Sequence, residues 1–278
     1  MANDRSASSF DPTAVPIRDA STVMLVQDSP RGVEVFLQRR VVGMDFAGGM
    51  TVFPGGGVDP SDTDAEVRWT GPEVSWWAEK FAVGEDRARA LVLAAVRETF
   101  EECGVLLAGP SPDTVVADTT EYAQARRLLE ARELSFGDFL EREDLVLRAD
   151  LLRPQANWIT PLGERRRYDT HFFVAAVPQG QRADGNTSET DLVQWQTADE
   201  ALADWRSGRC ILLPPTWSQL SILSGFGTVA DIMRADPVIE PVLPVMSRRD
   251  DGAIHIAFDG DEAYYEAGTH PWARRSDI

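Results

Sequence analysis

Cysteine is scarce, lysine almost absent, and long apolar runs are missing. There are two cysteines in 278 residues. Cys103 and Cys210 stand far apart without a CxxC pairing, which excludes a disulfide framework and a thiolate zinc site. Cys103 falls in an apolar-periodic segment and reads as a buried free thiol. No stretch of about 18 or more apolar residues occurs, so no helix is available to span a bilayer. The first residues, Met1 to Pro16, mix charge with serine and proline and lack the apolar centre of a secretory signal. The expectation is a cytoplasmic protein with no membrane partner. Lys80 is the one lysine, so arginine carries the positive charge, and 45 acidic residues against 27 basic ones leave a formal charge of −18. Such a balance repels the phosphates of nucleic acid, which is therefore not expected as a partner. A polyanionic substrate would need a local cation, for which a divalent metal is the evident candidate; the plainer alternative is a surface kept soluble by its acids.

What is present is a globular pattern, with 43% hydrophobic residues, enough to bury a core. Segment Ser21 to Gln27, a turn over Asp28 to Gly32 and the alternating run Val33 to Arg39 read as a hairpin. Gly48 to Gly57 reads as a short strand ending in a glycine-rich loop. Asp86 to Cys103 carries apolar residues at Ala90, Leu91, Ala94, Ala95 and Phe100 with Gly104 at the stop, the pattern of an amphipathic helix. Two insertions interrupt the alternation of strands and helices. One, about 60–85, contains Trp76 and Trp77, read as a satellite core rather than a substrate wall. The other, about 110–150, has helical spacing in Tyr122 to Leu134 and in Phe136 to Leu145. Strand signals return at Trp158 to Pro161, Tyr168 to Val177 and Leu192 to Gln196, followed by a short helix from Ala198 to Ser207. Thr216 to Arg234 reads as one helix despite Gly225 and Gly227. Pro237 to Pro244 is too rich in proline for an interior strand, and Ala253 to Phe258 alternates like a strand that pairs with the sheet or with another subunit, which admits a homodimer. This divides the chain into a flexible N-terminus (1–20), a main domain (21–207) and a C-terminal helix and extension (208–278).

Helix geometry places Glu98, Glu101 and Glu102 of Arg97-Glu-Thr-Phe-Glu-Glu-Cys-Gly104 on one face, a carboxylate triangle. Like charges at that spacing cost helix stability, so the reading as a solvated acidic face competes with a functional one. The glycine-rich segment upstream, Arg97 beside the first glutamate, and the apolar backing of Ala94, Ala95 and Phe100 favour function. Hard ions such as Mg²⁺ or Mn²⁺ take oxygen ligands and keep waters, which suits carboxylates that must also admit phosphates. Arg165-Arg-Arg167 would grip phosphates flanking the scissile bond, or else balance local acids at a turn. His171, on a strand pattern, reads as structural rather than catalytic.

These residues resemble the Nudix family, whose box reads Gly, five residues, acid, seven residues, then Arg-Glu-apolar-x-Glu-Glu-x-Gly-apolar. Arg97 to Val105 matches the second half, with Thr99 in place of the usual aliphatic residue. Gly56 and Asp62 match the first half, Asp62 standing where glutamate is usual. Thirty-four residues rather than seven then separate Asp62 from Arg97. A branch resembling the peroxisomal coenzyme A diphosphatases carries a long insertion there, and Phe53-Pro-Gly-Gly56 is similar to that branch too. The resemblance implies an α/β (α+β) Nudix fold, a mixed sheet sandwiched between helices, with helical insertions and a C-terminal extension. It implies Glu98, Glu101 and Glu102 as metal ligands, helped by a loop carbonyl near Gly55 or Gly56, with Arg97 orienting a carboxylate. Glu189, ahead of Trp195, would be the general base or a further ligand; Glu164 competes for that role.

The resemblance also implies hydrolysis of a small-molecule nucleoside diphosphate linked to another group: coenzyme A or its acyl derivatives, NADH, or ADP-ribose. A Nudix fold retained only for nucleotide binding and a related isomerase acting through a cysteine are the alternatives; the first is disfavoured by the intact glutamates, the second by the position of Cys103. In the coenzyme A pattern Leu37, Arg40 and Gly49 stand at matching positions, but Asp45 replaces a second arginine, which reverses a charge near the expected phosphates.

Overall fold

The computed structural model describes residues 14–43, 47–250 and 252–267; Asp45 lies outside them, as do residues 1–13. β1 (Ile17–Ser29) and β2 (Gly32–Arg40) form the expected hairpin, although β1 starts four residues inside the stretch read as a flexible N-terminus. Those first residues are held by parallel pairing, Ile17 opposite Arg167. Then follow β3 (Thr51–Val52), β4 (Gly55–Gly57), α1 (Pro60–Asp64), β5 (Trp69–Thr70), α2 (Val74–Phe81) and α3 (Glu85–Cys103). Next come β6 (Ala108–Gly109), α4 (Ala123–Glu130), α5 (Phe136–Arg142), β7 (Val146–Arg148), β8 (Leu152–Ile159), β9 (Arg167–Ala176), β10 (Thr190–Thr197) and α6 (Ala198–Arg206). The chain continues through α7 (Pro214–Leu223), α8 (Val229–Arg234), β11 (Pro241–Val242), β12 (Val245–Arg248), β13 (Ile254–Ala257) and α9 (Asp261–Ala267).

The main sheet runs β10-β2-β1-β9-β8-β11, with β3 attached to β2 and β4 to β1. It is mixed: β1 lies parallel to β9 and β11 to β8, while the other pairs are antiparallel. Strand side chains alternate between faces, and both faces are covered. Val23, Leu25 and Phe173 join the core beneath α2 and α3, whereas Met24, Val26, Phe172 and Val174 join the one beneath α6, α7 and α9. The architecture is the helix-sheet-helix sandwich that the resemblance implies.

The two insertions build one structure. β5 from the first pairs with β7 from the second, and β6 completes a three-stranded sheet. Trp77 is fully buried against Phe81 and Phe173, so the tryptophan pair does anchor a core, with Trp76 packed on its edge. Burying a large side chain stabilises by about 2–3 kcal/mol or more.

Two elements differ from expectation, and a third agrees with it. The helix read over 216–234 is two, α7 and α8, because Ser224 to Gly227 leaves helical geometry at a pair of glycines with little helical propensity. Pro241 and Val242 form no interior strand, as their proline content excludes, but a short one at the sheet edge, where a proline is tolerated. β13 pairs with β12 of its own chain rather than with the main sheet, so its alternation needs no second subunit. Among the described residues no helix is long and apolar enough to cross a membrane.

Candidate active site

α3 has the length and apolar spacing to lie across the sheet, and its middle turns, Leu91 to Val96, are fully buried. Ser21 of β1 ties it down, its Oγ donating to the Leu91 carbonyl at 2.7 Å. At the far end Gly104 adopts φ 70°, and its N–H caps the Phe100 carbonyl. The last carbonyls find partners beyond the helix: Arg126 Nε donates to Glu101 O and the Asp184 N–H to Cys103 O, both at 2.9 Å. Thr99 is fully buried where an aliphatic residue is usual, and its hydroxyl is satisfied by the Ala95 carbonyl at 2.7 Å. The helix is thus fixed at both ends, and its final turns face a cavity of about 820 Å³.

Glu98, Glu101 and Glu102 line that cavity with Gly55, Gly56 and Gly57. Arg97 is the organising residue. Its Nε and one terminal nitrogen grip Asp62 as a fork, at 3.0 and 2.9 Å, that same nitrogen donating also to the Gly57 carbonyl at 2.9 Å. Its other terminal nitrogen reaches Glu98 at 2.8 Å and Glu101 at 3.2 Å. Asp62 is almost wholly buried, capping α1 by accepting from the Asp59 N–H at 2.8 Å. The 34 intervening residues therefore leave the two half-boxes in contact: the insertion departs after Asp62 and returns to Arg97.

Glu102 accepts from the Gly55 N–H at 2.9 Å and from Gln38 Nε2 of β2, a partner the sequence reading missed. Gly56 leaves room for the Glu98 carboxylate: a Cβ there would lie 2.5 Å from Glu98 Oε1 and push it aside. Burial, then the neighbouring Glu98, pushes Glu101 up to about 7 and Glu102 up to about 8. Burial likewise raises Glu98 against the pull of Arg97. For Arg97 burial opposes the charge, but Glu98, Asp62 and Glu101 outweigh it and hold the guanidinium well above its ordinary value.

Among the described residues no three His, Cys, Asp or Glu side chains meet at metal-binding separation; here the carboxylates lean on Arg97, Gln38 and the Gly55 N–H. The donor set nonetheless fits a hard divalent cation. Three buried or near-buried acids, Asp62, Glu98 and Glu101, share one guanidinium, Glu102 lies beside them on Gln38 and the Gly55 N–H, and burial raises the proton affinity of all four, so a cation among them would be favoured.

The other expected residues divide. Arg40 and Glu189 both line the cavity and pair with each other at 2.7 Å. Glu164 lines it as well. Arg165 and Arg167 do not. Arg167 is buried and donates Nε to the Thr160 carbonyl at 3.0 Å, fixing the turn into β9, and Arg165 is exposed away from the wall. Of that run Arg166, in the bend just before β9, is the one that lines the cavity. Arg18 and Arg132 also line it; neither carried a motif in the sequence. His171 is structural: buried against Phe81, its imidazole is pushed down to about 4 by burial. Cys103 is fully buried with its thiol raised well above the usual range by burial, outside the cavity wall, which removes the cysteine an isomerase would need.

The family model of the NUDT19 Nudix domain matches residues 77–223. The chain belongs to the Nudix family. An acyl-coenzyme A diphosphatase NUDT19 from Xenopus laevis is 24% identical over 86% of this chain and 73% of its own length. The human protein of the same name is 28% identical over 64% of this chain, and the match spans about half of it, 51%. A solved NUDIX hydrolase from Alicyclobacillus acidocaldarius superposes with a TM-score of 0.71 at 26% identity, covering 81% of this chain and 99% of that one. By this kinship the chain is a Nudix diphosphatase, in the branch resembling the coenzyme A enzymes.

Proposed function

We propose that this Nudix chain uses a divalent ion, Mg²⁺ or Mn²⁺, to hydrolyse the diphosphate bond of coenzyme A or its acyl derivatives. The observation that carries the proposal is the contact of Asp62 with Arg97, which joins the two half-boxes and sets three glutamates on the wall of a cavity sized for a small molecule. The name borne by the frog and human relatives supports the choice of substrate.

Glu98, Glu101 and Glu102, with a backbone carbonyl near Gly56, would hold the ion, which when bound polarises the diphosphate and lowers the pKa of water. Arg97 spends its donors on aiming Glu98 and Glu101, and the Gly55 N–H with Gln38 aims Glu102. Glu189 is the better placed of the two candidate bases. It lines the cavity, pairs with Arg40 at 2.7 Å and lies near enough to Glu98 to raise it, a position from which it would take a proton from an attacking water. Glu164 lines the cavity from the loop after β8.

The test is a screen of coenzyme A, acetyl-coenzyme A, NADH and ADP-ribose with Mg²⁺ or Mn²⁺, products identified by mass spectrometry. The expected products are 3′,5′-ADP and a 4′-phosphopantetheine derivative. AMP from NADH or ADP-ribose in their place would move the substrate to the dinucleotides, and full activity after chelation would reject the metal.

A further inference from the structure

A volume of about 820 Å³ accommodates a molecule far larger than a diphosphate. The carboxylates occupy one part of its wall; another part is apolar and comes largely from beyond the Nudix core. Trp158 and Phe172 of β8 and β9 are joined there by Leu213 and Pro214 at the start of α7, by Pro244, and by Ile256 of β13. Pro244 and Ile256 lie past residue 223, where the match to the family model ends.

This wall is fixed in place rather than draped. The Thr51 N–H donates to the Ile211 carbonyl at 2.9 Å, Tyr264 Oη donates to the Leu212 carbonyl at 2.8 Å, and the Trp158 ring meets Phe258 edge-on with centroids 5.6 Å apart. Apolar surface continues at its edge. Leu162, Leu243 and Val245 are 50%, 49% and 65% exposed, next in sequence to the cavity-lining Pro161 and Pro244. The two loops abut, since a Cβ on Gly163 would lie 3.4 Å from Met246 Sδ. Large aliphatic side chains left exposed on the two loops that border a cavity are surface that gains by leaving water.

We propose that the C-terminal extension is a substrate-selecting wall: the apolar side chains of the cavity and the rim formed by Leu162, Leu243 and Val245 hold the acyl chain of an acyl-coenzyme A. The inference rests on the diphosphatase reading above and adds chain-length preference to it. Each methylene taken fully out of water is worth roughly fourfold in affinity, so burying only two or three on this surface favours a long chain over an acetyl group by at least about tenfold.

The experiment compares kcat/KM for acetyl- and dodecanoyl-coenzyme A in the full chain with Mg²⁺, and in Leu243→Asp and Val245→Asp. Both positions are exposed, so folding should be retained, which thermal melting verifies. The expected result is a dodecanoyl-to-acetyl ratio of about ten or more, carried mainly by KM, and each aspartate should lower that ratio about tenfold by placing charge where the chain would lie. A ratio near one in the unmodified chain, or a ratio unmoved by either aspartate, overturns the inference while leaving the hydrolase intact. A dimer that these variants dissociate would make the rim a subunit contact and overturn it equally. If no coenzyme A compound is cleaved faster by the unmodified chain than by Glu102→Gln, the diphosphatase reading itself falls.

Discussion

Replacing Asp62 with alanine probes the joint on which the site depends. Asp62 is 1% exposed and holds Arg97 by a two-pronged contact, while its other role is to cap α1. Breaking a buried ion pair by removing one partner costs about 3–5 kcal/mol, because the remaining charge is left without compensation. Arg97 keeps Glu98 and Glu101, so the lower end applies, about 3 kcal/mol. Loss of the cap adds about 1 kcal/mol. A destabilisation near 4 kcal/mol should lower the melting temperature by roughly 10 °C in a chain of this size. Activity should fall further than stability alone requires. With the fork gone, Arg97 pivots on the two glutamates it was aiming, and a displacement of about 1 Å costs on the order of 100-fold in turnover. Asp62→Asn, which keeps the shape and the cap acceptor, should lose less of both. Urea denaturation and kcat measured at a temperature where the variant remains folded separate the two effects. An alanine variant within about 1 kcal/mol of the unmodified chain and fully active would refute the claim that this contact joins the half-boxes.

Further outcomes follow from the same geometry. Glu101→Gln and Glu102→Gln should each lower kcat by about 100-fold or more while leaving the melting temperature equal or higher, since each relieves a crowded, buried acid; chelation should abolish the remaining activity of the unmodified chain. Gly56→Ala should depress kcat with little change in KM, because its Cβ would displace Glu98 rather than block the cavity; unchanged kcat would sink the steric argument. His171, held neutral by burial at about 4, contributes stability above its unfolded value of about 6.5. That contribution, on the order of 3 kcal/mol, is lost as pH falls from about 6.5 towards 4, so His171→Gln should flatten the acid limb of a stability-pH curve; an unaltered limb would show the imidazole to be uninvolved. Trp77→Ala should cost about 3–5 kcal/mol and Trp76→Ala clearly less, measured by urea unfolding.

How far the sequence disclosed this depended on whether the cause was local. α3 was legible in full because apolar spacing, the glutamate triplet and Gly104 all act within one helix. That the sheet is mixed was legible only through the family resemblance and its strand order not at all, since nothing local dictates that Ile17 should lie beside Arg167 across 150 positions. The ionic joint between Asp62 and Arg97 was hidden by the insertion, whose return path is a tertiary fact. Glu102's partner Gln38 sits on a different strand and carries no motif. The arginine run was read as a block, but only its middle member meets the cavity, since the run straddles a bend and the first residue of β9, whose path no local pattern dictates. Gly225 and Gly227 did carry the signal for the break between α7 and α8, outweighed by the apolar residues on either side.

The shared sheet of β5, β7 and β6 has a consequence for how this chain can be shortened. Each insertion supplies a strand that the other completes, and Ala65 of the first stands 3.0 Å from where a Cβ on Gly137 of the second would lie. Arg126, from the second, holds the end of α3. Neither segment is an ornament that can be trimmed alone: excising one strips the other of its pairing and loosens the helix that carries the glutamates. The two would have to be gained or discarded as a pair, so a shorter relative lacking one insertion should lack both.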